Sequence, residues 1–334
     1  MRRESREGRR GLDRLRRLIV LAACAPWLIA IAAAEPAFPT RPVRIMVPYG
    51  PGGVADVTMR LLAQKLGERL GQQFIIDNRP GAGGILAAKA AATAPPDGYT
   101  LVVSGNGMAI SKSLFKSLPY DVLTDFTPVS ITAFLELMLA TRADGRIKSV
   151  RDVIAAAKAD PGKLNFGTIA PGSTQNLSAE LFRMQAGIDV ALVTYRTTPD
   201  LVTALLRGDV DVGFDYYAGL NAALHENKLI ALATTGDKRA PWTPDVPTVE
   251  QAGLPGYSVV SWNALAGPAG MPRDVVAVLN REINAALRLP DVQEKAHLFG
   301  LDARGTTPEE MGERMRSDIA KWAEVIERAG LAKQ

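Results

Sequence analysis

A chain of 334 residues, 47% hydrophobic and 22% charged, exceeds the size at which a single core usually splits, so two lobes are expected. One cysteine and two histidines supply little for disulfides, zinc sites or a histidine-based triad. The net charge of +4 belongs to the N-terminus: eight arginines and three acids lie within Met1 to Arg17, leaving 31 basic against 32 acidic residues and no global electrostatic case for nucleic-acid or membrane binding.

Residues 1–34 read as a cleaved secretory signal. A basic stretch precedes an uncharged run from Leu18 to Ala34, which closes in Ala32-Ala33-Ala34. A membrane anchor is the alternative, but Pro26 interrupts the 17-residue run and a span needs about 20 apolar residues. Lipidation at Cys24, in Leu21-Ala22-Ala23-Cys24, ranks second, because only six apolar residues precede that cysteine. Export to the periplasm with cleavage near Ala34 is the expectation, and it would remove the only thiol.

From Val43 onward, short β-branched runs alternate with stretches of helical period, which predicts an α/β fold with mainly parallel sheets in a doubly wound pattern. Strands are expected at Val43 to Val47, Phe74 to Asp77, Tyr99 to Ser104, Glu136 to Thr141, Leu164 to Thr168, Val190 to Tyr195, Val210 to Phe214, Leu229 to Thr234 and Tyr257 to Leu265. Helices are expected at Asp56 to Leu70, Gly84 to Thr93, Ser149 to Ala159, Asn176 to Ala186, Asp200 to Arg207, Arg273 to Leu287 and Pro308 to Ala329. In the first of these, Met59, Leu62, Leu66 and Leu70 share one face. The last should lie as an amphipathic terminal helix across one lobe. No linker separates two halves, which favours lobes joined by two crossing strands, at Leu135 to Thr141 and Tyr257 to Leu265. Lobe 1 would comprise residues 38–138 and 258–334, and lobe 2 residues 139–257.

Val47-Pro48-Tyr49-Gly50-Pro51-Gly52-Gly53-Val54-Ala55-Asp56 is a glycine-rich turn between a strand and a helix. Its backbone N–H groups and the helix start suit an anion. Asp56 is expected to cap that helix, with a water-mediated ligand role as the alternative. The same turn fits a G-x-G-x-x-A dinucleotide fingerprint through Gly50, Gly52 and Ala55, with Asp77 at the ribose position. Against an NAD-dependent oxidoreductase stand Pro51 inside the turn, the export signal and the lack of an acid/base histidine near a later strand end. In the second cluster, Asn78-Arg79-Pro80-Gly81-Ala82-Gly83-Gly84, Arg79 reads as a surface charge.

Pro51-Gly52-Gly53-x-x-Asp56-x-x-x-Arg60, the Asn78 to Gly84 cluster, Pro96-Asp97-Gly98-Tyr99-Thr100-Leu101, and Asp245-Val246-Pro247-Thr248 through Gly256 occur in that order. Together they resemble the Bug/TctC family of tripartite tricarboxylate transporter receptors, over essentially the whole chain from about Phe38. The resemblance implies a type II periplasmic binding-protein fold, no cofactor and no catalysis. It also implies a small organic acid held between the lobes, largely by backbone amides, hydroxyls and water. Membrane transporter subunits or a sensor kinase would be the partners, and a monomer is expected.

Carried over to this sequence, the resemblance places Tyr49, Pro51, Gly52, Gly53 and Asp56 opposite Gly172, Ser173 and Thr174, with Ser104, Gly105 and Asn106 beside them. Asp215 matches an acid common at the second-lobe edge of the cleft. The Ser173 and Thr174 hydroxyls also precede a predicted helix, where they can cap it or donate to a ligand. The chain departs from the family at Gln175-Asn176-Leu177, Tyr195-Arg196-Thr197 and Tyr216-Tyr217, all on the second-lobe side. Arg196 is the candidate for pairing a carboxylate bidentately. Tyr216, Tyr217 and Trp262 read either as core or as stacking surfaces for an aromatic ligand.

Overall fold

The computed structural model describes residues 38–334. The expected signal segment, its expected cleavage site and Cys24 lie outside the described residues. Among the described residues, no helix is long and apolar enough to cross a membrane.

The first strand set comprises β1 (Val43–Val47), β2 (Phe74–Asn78) and β3 (Thr100–Gly105), with β1 parallel to both others. Helices α1 (Val54–Leu70), α2 (Ile85–Ala92) and α3 (Asn106–Leu114) follow these strands in turn. Burial of Met59, Leu62 and Leu66 sets the face of α1. The helix ends where Gly71 enters the left-handed region and returns its N–H to the Gly67 carbonyl.

The second set comprises β5 (Asn165–Ile169), β6 (Ala191–Tyr195) and β7 (Val212–Tyr216), again parallel about β5. Here α4 (Val150–Ala159), α5 (Thr174–Ala186), α6 (Thr198–Arg207) and α7 (Tyr217–His225) alternate with the strands, and β8 (Leu229–Thr234) follows. Phe166, Phe182 and Phe214 form its core, with ring centroids 5.5–5.8 Å apart.

Two long strands join the sets: β4 (Phe126–Arg142) and β9 (Val260–Pro268). Residues Phe126 to Glu136 of β4 pair antiparallel with β9, and from Leu137 onward β4 pairs antiparallel with β7 and β8. β9 in turn lies antiparallel to β3. The sheet order is therefore β2-β1-β3-β9-β4-β7-β5-β6. The expectation of a mainly parallel sheet needs correction: the outer strands are parallel, but the strands that cross run against their neighbours.

Thr235 ties the crossing together. Its N–H donates to the Leu137 carbonyl (2.9 Å) and its carbonyl accepts from the Val259 N–H (2.7 Å). Its hydroxyl accepts from the Leu137 N–H (2.9 Å) and donates to the Val259 carbonyl (2.7 Å). The residue is fully buried.

After β9 come α8 (Arg273–Leu287), α9 (Pro290–Leu298), the short β10 (Leu301–Asp302) against β4, and α10 (Pro308–Arg328). A capping box between Thr307 and Glu310 starts α10. This helix packs on α3 and β4 and also reaches α5 in the second set, which corrects the expectation that it covers one lobe only. Trp322 is the reason: its indole N–H donates to Asn106 Oδ1 (2.7 Å), and Asn106 Nδ2 donates to Thr174 Oγ1 (2.8 Å) at the start of α5.

Candidate functional site

A cavity of about 760 Å³ opens where the C-terminal ends of β1, β3, β5 and β7 face each other across β9. Such strand ends are where open α/β sheets bind ligands. Five of the expected residues line it: Tyr49 and Gly53 from the β1–α1 loop, and Gly172, Ser173 and Thr174 before and at the start of α5.

Gly172 is held at φ +78°, and a Cβ there would fall 2.4 Å from Leu114 Cδ2. The close approach of α3 and the left-handed backbone both require glycine. Ser173 caps α5 by accepting from the Asn176 N–H at 3.1 Å, and Asn176 Oδ1 accepts from the Gly172 N–H at 3.0 Å. Thr174 is buried and bonded to Asn106, so the N-terminus of α5 is fixed on both sides of the cleft.

Eight expected residues do not line the cavity. Pro51 and Gly52, between Tyr49 and Gly53 in the loop, are exposed. Asp56 is not the cap of α1, because the helix starts at Val54, two residues earlier than expected. From the first turn its carboxylate reaches back to accept from the Gly52 N–H (2.9 Å), Arg60 Nε (3.0 Å) and Asn78 Nδ2 (2.8 Å). Arg60, together with the Gly52 and Asn78 donors, holds its pKa down to about 2 against the opposing effect of burial. Asp56 therefore clamps the Gly52 turn at φ +83° and does not itself line the cavity.

Ser104 and Gly105 end β3, with Ser104 buried. A Cβ on Gly105 would come within 2.3 Å of the Trp262 carbonyl. Asn106 links α10 to α5, as described above. Asp215 is buried behind the cavity wall and accepts from Thr198 Oγ1 (2.6 Å), Tyr216 N–H (2.8 Å) and Gln175 Nε2 (3.1 Å). Burial pushes its carboxyl up, opposed by those donors. Through Gln175 and Tyr216, both in the cavity wall, it positions the lining rather than forming it. Arg196 is exposed and does not line the cavity.

Reading the sequence alone missed part of the wall. Ser261 and Asn263 on β9 line the cavity, as do Gln175 and Phe299 to Leu301. The signal was two polar residues two apart on an otherwise apolar strand, which places them on one face. Tyr216 lies in the wall beside Thr174 and Ser261. Burial pushes its phenol up to about 12, so it stays a neutral donor. Trp262 also borders the cavity, but the residue is only 1% exposed and its indole N–H donates to Asp318 Oδ2 at 2.6 Å. No residue of the cavity wall is Asp, Glu, Lys, Arg or His. Among the described residues, no group of three His, Cys, Asp or Glu side chains could hold a metal ion.

The acid expected to meet a ribose is already engaged, since Arg79 pairs with Asp77 at 3.0 Å.

Residues 58–331 match the model of the tripartite tricarboxylate transporter family receptor. Protein BugT of Bordetella pertussis is 34% identical over 304 residues, covering 90% of this chain and 93% of that one. A UPF0065 protein from the tcbD-tcbE intergenic region of Pseudomonas sp. strain P51 is 35% identical over 291 residues, 87% of each chain. Among solved structures, R. palustris Rpa4515 with adipate superposes with a TM-score of 0.77 at 35% identity, covering 88% of this chain and 99% of that one. MatC (Rpa3494) from Rhodopseudomonas palustris with bound malate gives 0.72 at 32%, covering 86% and 100%.

Proposed function

This chain belongs to the tripartite tricarboxylate transporter receptor family, and from that premise we propose that it is an exported receptor which captures a small carboxylate-bearing molecule between two lobes and delivers it to a membrane transporter of the tripartite tricarboxylate type. The family is one of solute-binding receptors, not enzymes, and its two-lobed α/β fold is the one described above. The observation that carries the reading is the cavity without charged side chains, into which the α5 N-terminus, Ser173, Thr174, Tyr216 and Ser261 bring neutral donors. A carboxylate can be held by such donors without a cation.

In this reading the lobes comprise residues 38–138 with 258–334, and residues 139–257. The Thr235 knot between Leu137 and Val259 supports those limits. Tyr49, Gly53, Gly172, Ser173 and Thr174 contact the acid, while Asp56, Asn106 and Asp215 hold those contacts in place. Binding across the cleft biases an open-to-closed equilibrium through contacts made only when the lobes approach. Residues 1–34 direct the chain to the periplasm.

The test is a melting and small-angle scattering series of the purified protein with mono-, di- and tricarboxylates. An acid at 100 times its Kd should add about 2.7 kcal/mol of stability and reduce the radius of gyration. If no acid moves either quantity, the receptor reading fails.

A further inference from the structure

We infer that the crossing between the lobes is a proton-sensitive hinge: Glu136, lodged against the second crossing at Gly236, favours the closed arrangement when protonated and the open one when ionised. The inference goes beyond the receptor reading and takes from it only the two lobes.

The conformation described above has the lobes in contact. Asn106 Nδ2 of lobe 1 donates to Thr174 Oγ1 of lobe 2 at 2.8 Å. A Cβ on Gly172 would fall 2.4 Å from Leu114 Cδ2, and one on Gly300 would fall 2.7 Å from Tyr217 Cβ. Parting these contacts requires motion where the chain crosses, and Glu136 lies there. It is the last residue of β4 to pair with β9, before Leu137 begins the pairing with β7. From β4 its carboxyl reaches the second crossing: a Cβ on Gly236 would come within 2.2 Å of Glu136 Cδ and Oε1. Gly236 directly follows Thr235, which bonds to both Leu137 and Val259. Rotation about the crossings therefore moves the surface on which the carboxyl rests.

Charge on this carboxyl is poorly met in the closed arrangement. Its Oε2 is buried with no hydrogen-bond partner among the described residues, and so is Oγ1 of the adjoining Thr234. Asp237 of the second crossing and Asp302 of β10 repel it, and Lys238 is the cation that opposes them. Arg304 is engaged by Asp302 at 3.3 Å. Arg314 of α10 donates to the Val260 carbonyl, opposite Glu136 in the register, and is engaged by Asp318 at 2.9 Å. Burial first, and then Asp237, push the Glu136 pKa up to about 7. A proton on the carboxyl removes the repulsion and supplies a donor for the Thr234 hydroxyl. Opening admits water to the same carboxyl and returns it toward its ordinary value of 4.5. Closure therefore takes up a proton: the closed form has its full advantage below that value and loses it as pH rises through 7.

The deciding experiment is small-angle scattering of the purified, ligand-free protein at about pH 5.5 and about pH 8.5. The wild-type radius of gyration is expected to rise at the higher pH, as the open-to-closed ratio grows by about tenfold for each pKa unit between the two forms. Glu136→Gln should keep the smaller radius at both values, and Asp237→Asn, at an exposed position, should shrink the rise. The pair His225→Gln and His297→Gln removes both histidines of the chain, the residue type that titrates in this range, and should leave the rise intact. If Glu136→Gln fails to fold by circular dichroism, Asp237→Asn and the histidine pair still decide. An equal radius at both pH values, a rise of the same size in Glu136→Gln, or its loss in the histidine pair overturns the inference. Each of these leaves the receptor reading standing, since the acid series tests that reading by itself.

Discussion

At the scale of single residues, Asp56 shows how an acid in a binding loop can serve the loop rather than the ligand. Its folded pKa, near 2, lies below the ordinary carboxylate value of 3.8. The stability it contributes is therefore fully present above about pH 4 and is lost as pH falls toward 2. Asp56→Asn should lower stability in urea by about 2 kcal/mol at pH 7, and the gap to wild type should close at pH 2. A gap that persists at low pH would mean that the charge is not what matters.

Thr235 offers a second test at this scale. Thr235→Val keeps the shape but removes the acceptor for the Leu137 N–H and the donor to Val259, so a loss of about 1–3 kcal/mol is expected in the same assay. Gly172 to Thr174, which the family resemblance sets at the cleft, line the cavity, and Ser173 also caps α5. Ser261 and Asn263 were not singled out, because their strand returns to the site from far along the chain. Arg196 had the right chemistry for a carboxylate, but the chain turns it to solvent.

Among the elements, most strands and helices were legible to within two or three residues, since β-branched runs and helical spacing report local structure directly. β4 was the exception: six residues were expected where 17 form a strand. It is covered on both faces, so it lacks alternation, and register shifts near Ser130 and Ala133 break its pattern further. α3, α7 and α9 were not among the expected helices: Asn106-Gly107 begins α3, and Tyr216-Tyr217 at the start of α7 read as core or stacking residues.

Glu136 sits where β4 exchanges β9 for β7, and its Oε2 has no hydrogen-bond partner among the described residues. Burial and then Asp237 push its pKa up to about 7, with Asp302 adding to them and Thr234 and Lys238 opposing. The unfolded value is near 4.5, so stability is full below that pH and is lost as pH rises through 7. Wild-type protein should lose up to about 3 kcal/mol between pH 5 and 8, and Glu136→Gln should abolish that dependence. At the other end of the crossing, Trp322→Phe would leave Asn106 Oδ1 buried without its donor. A loss of about 1–3 kcal/mol is expected, together with weaker carboxylate binding, since Asn106 holds Thr174.

For the whole molecule, two lobes and two crossings were legible from length, from the alternation of elements and from the lack of a linker. The antiparallel joints were not, because no local pattern says which strands will be neighbours. A receptor that works by closing needs its site divided between bodies that share only a narrow connection. The wall described here draws on β1, α3, β5, β7 and β9 together.

The pairing of β3 with β9 has a consequence in time. Val102 waits for Ala266, about 160 residues later, and β1 and β2 cannot be finished into a covered sheet until that strand arrives. At roughly 5–20 residues per second of synthesis, the first strand set stays an open-edged intermediate for about 10–30 s, while the intervening segment is free to pair within itself. A chain wired in this order completes its first strand set only after most of its length has been made.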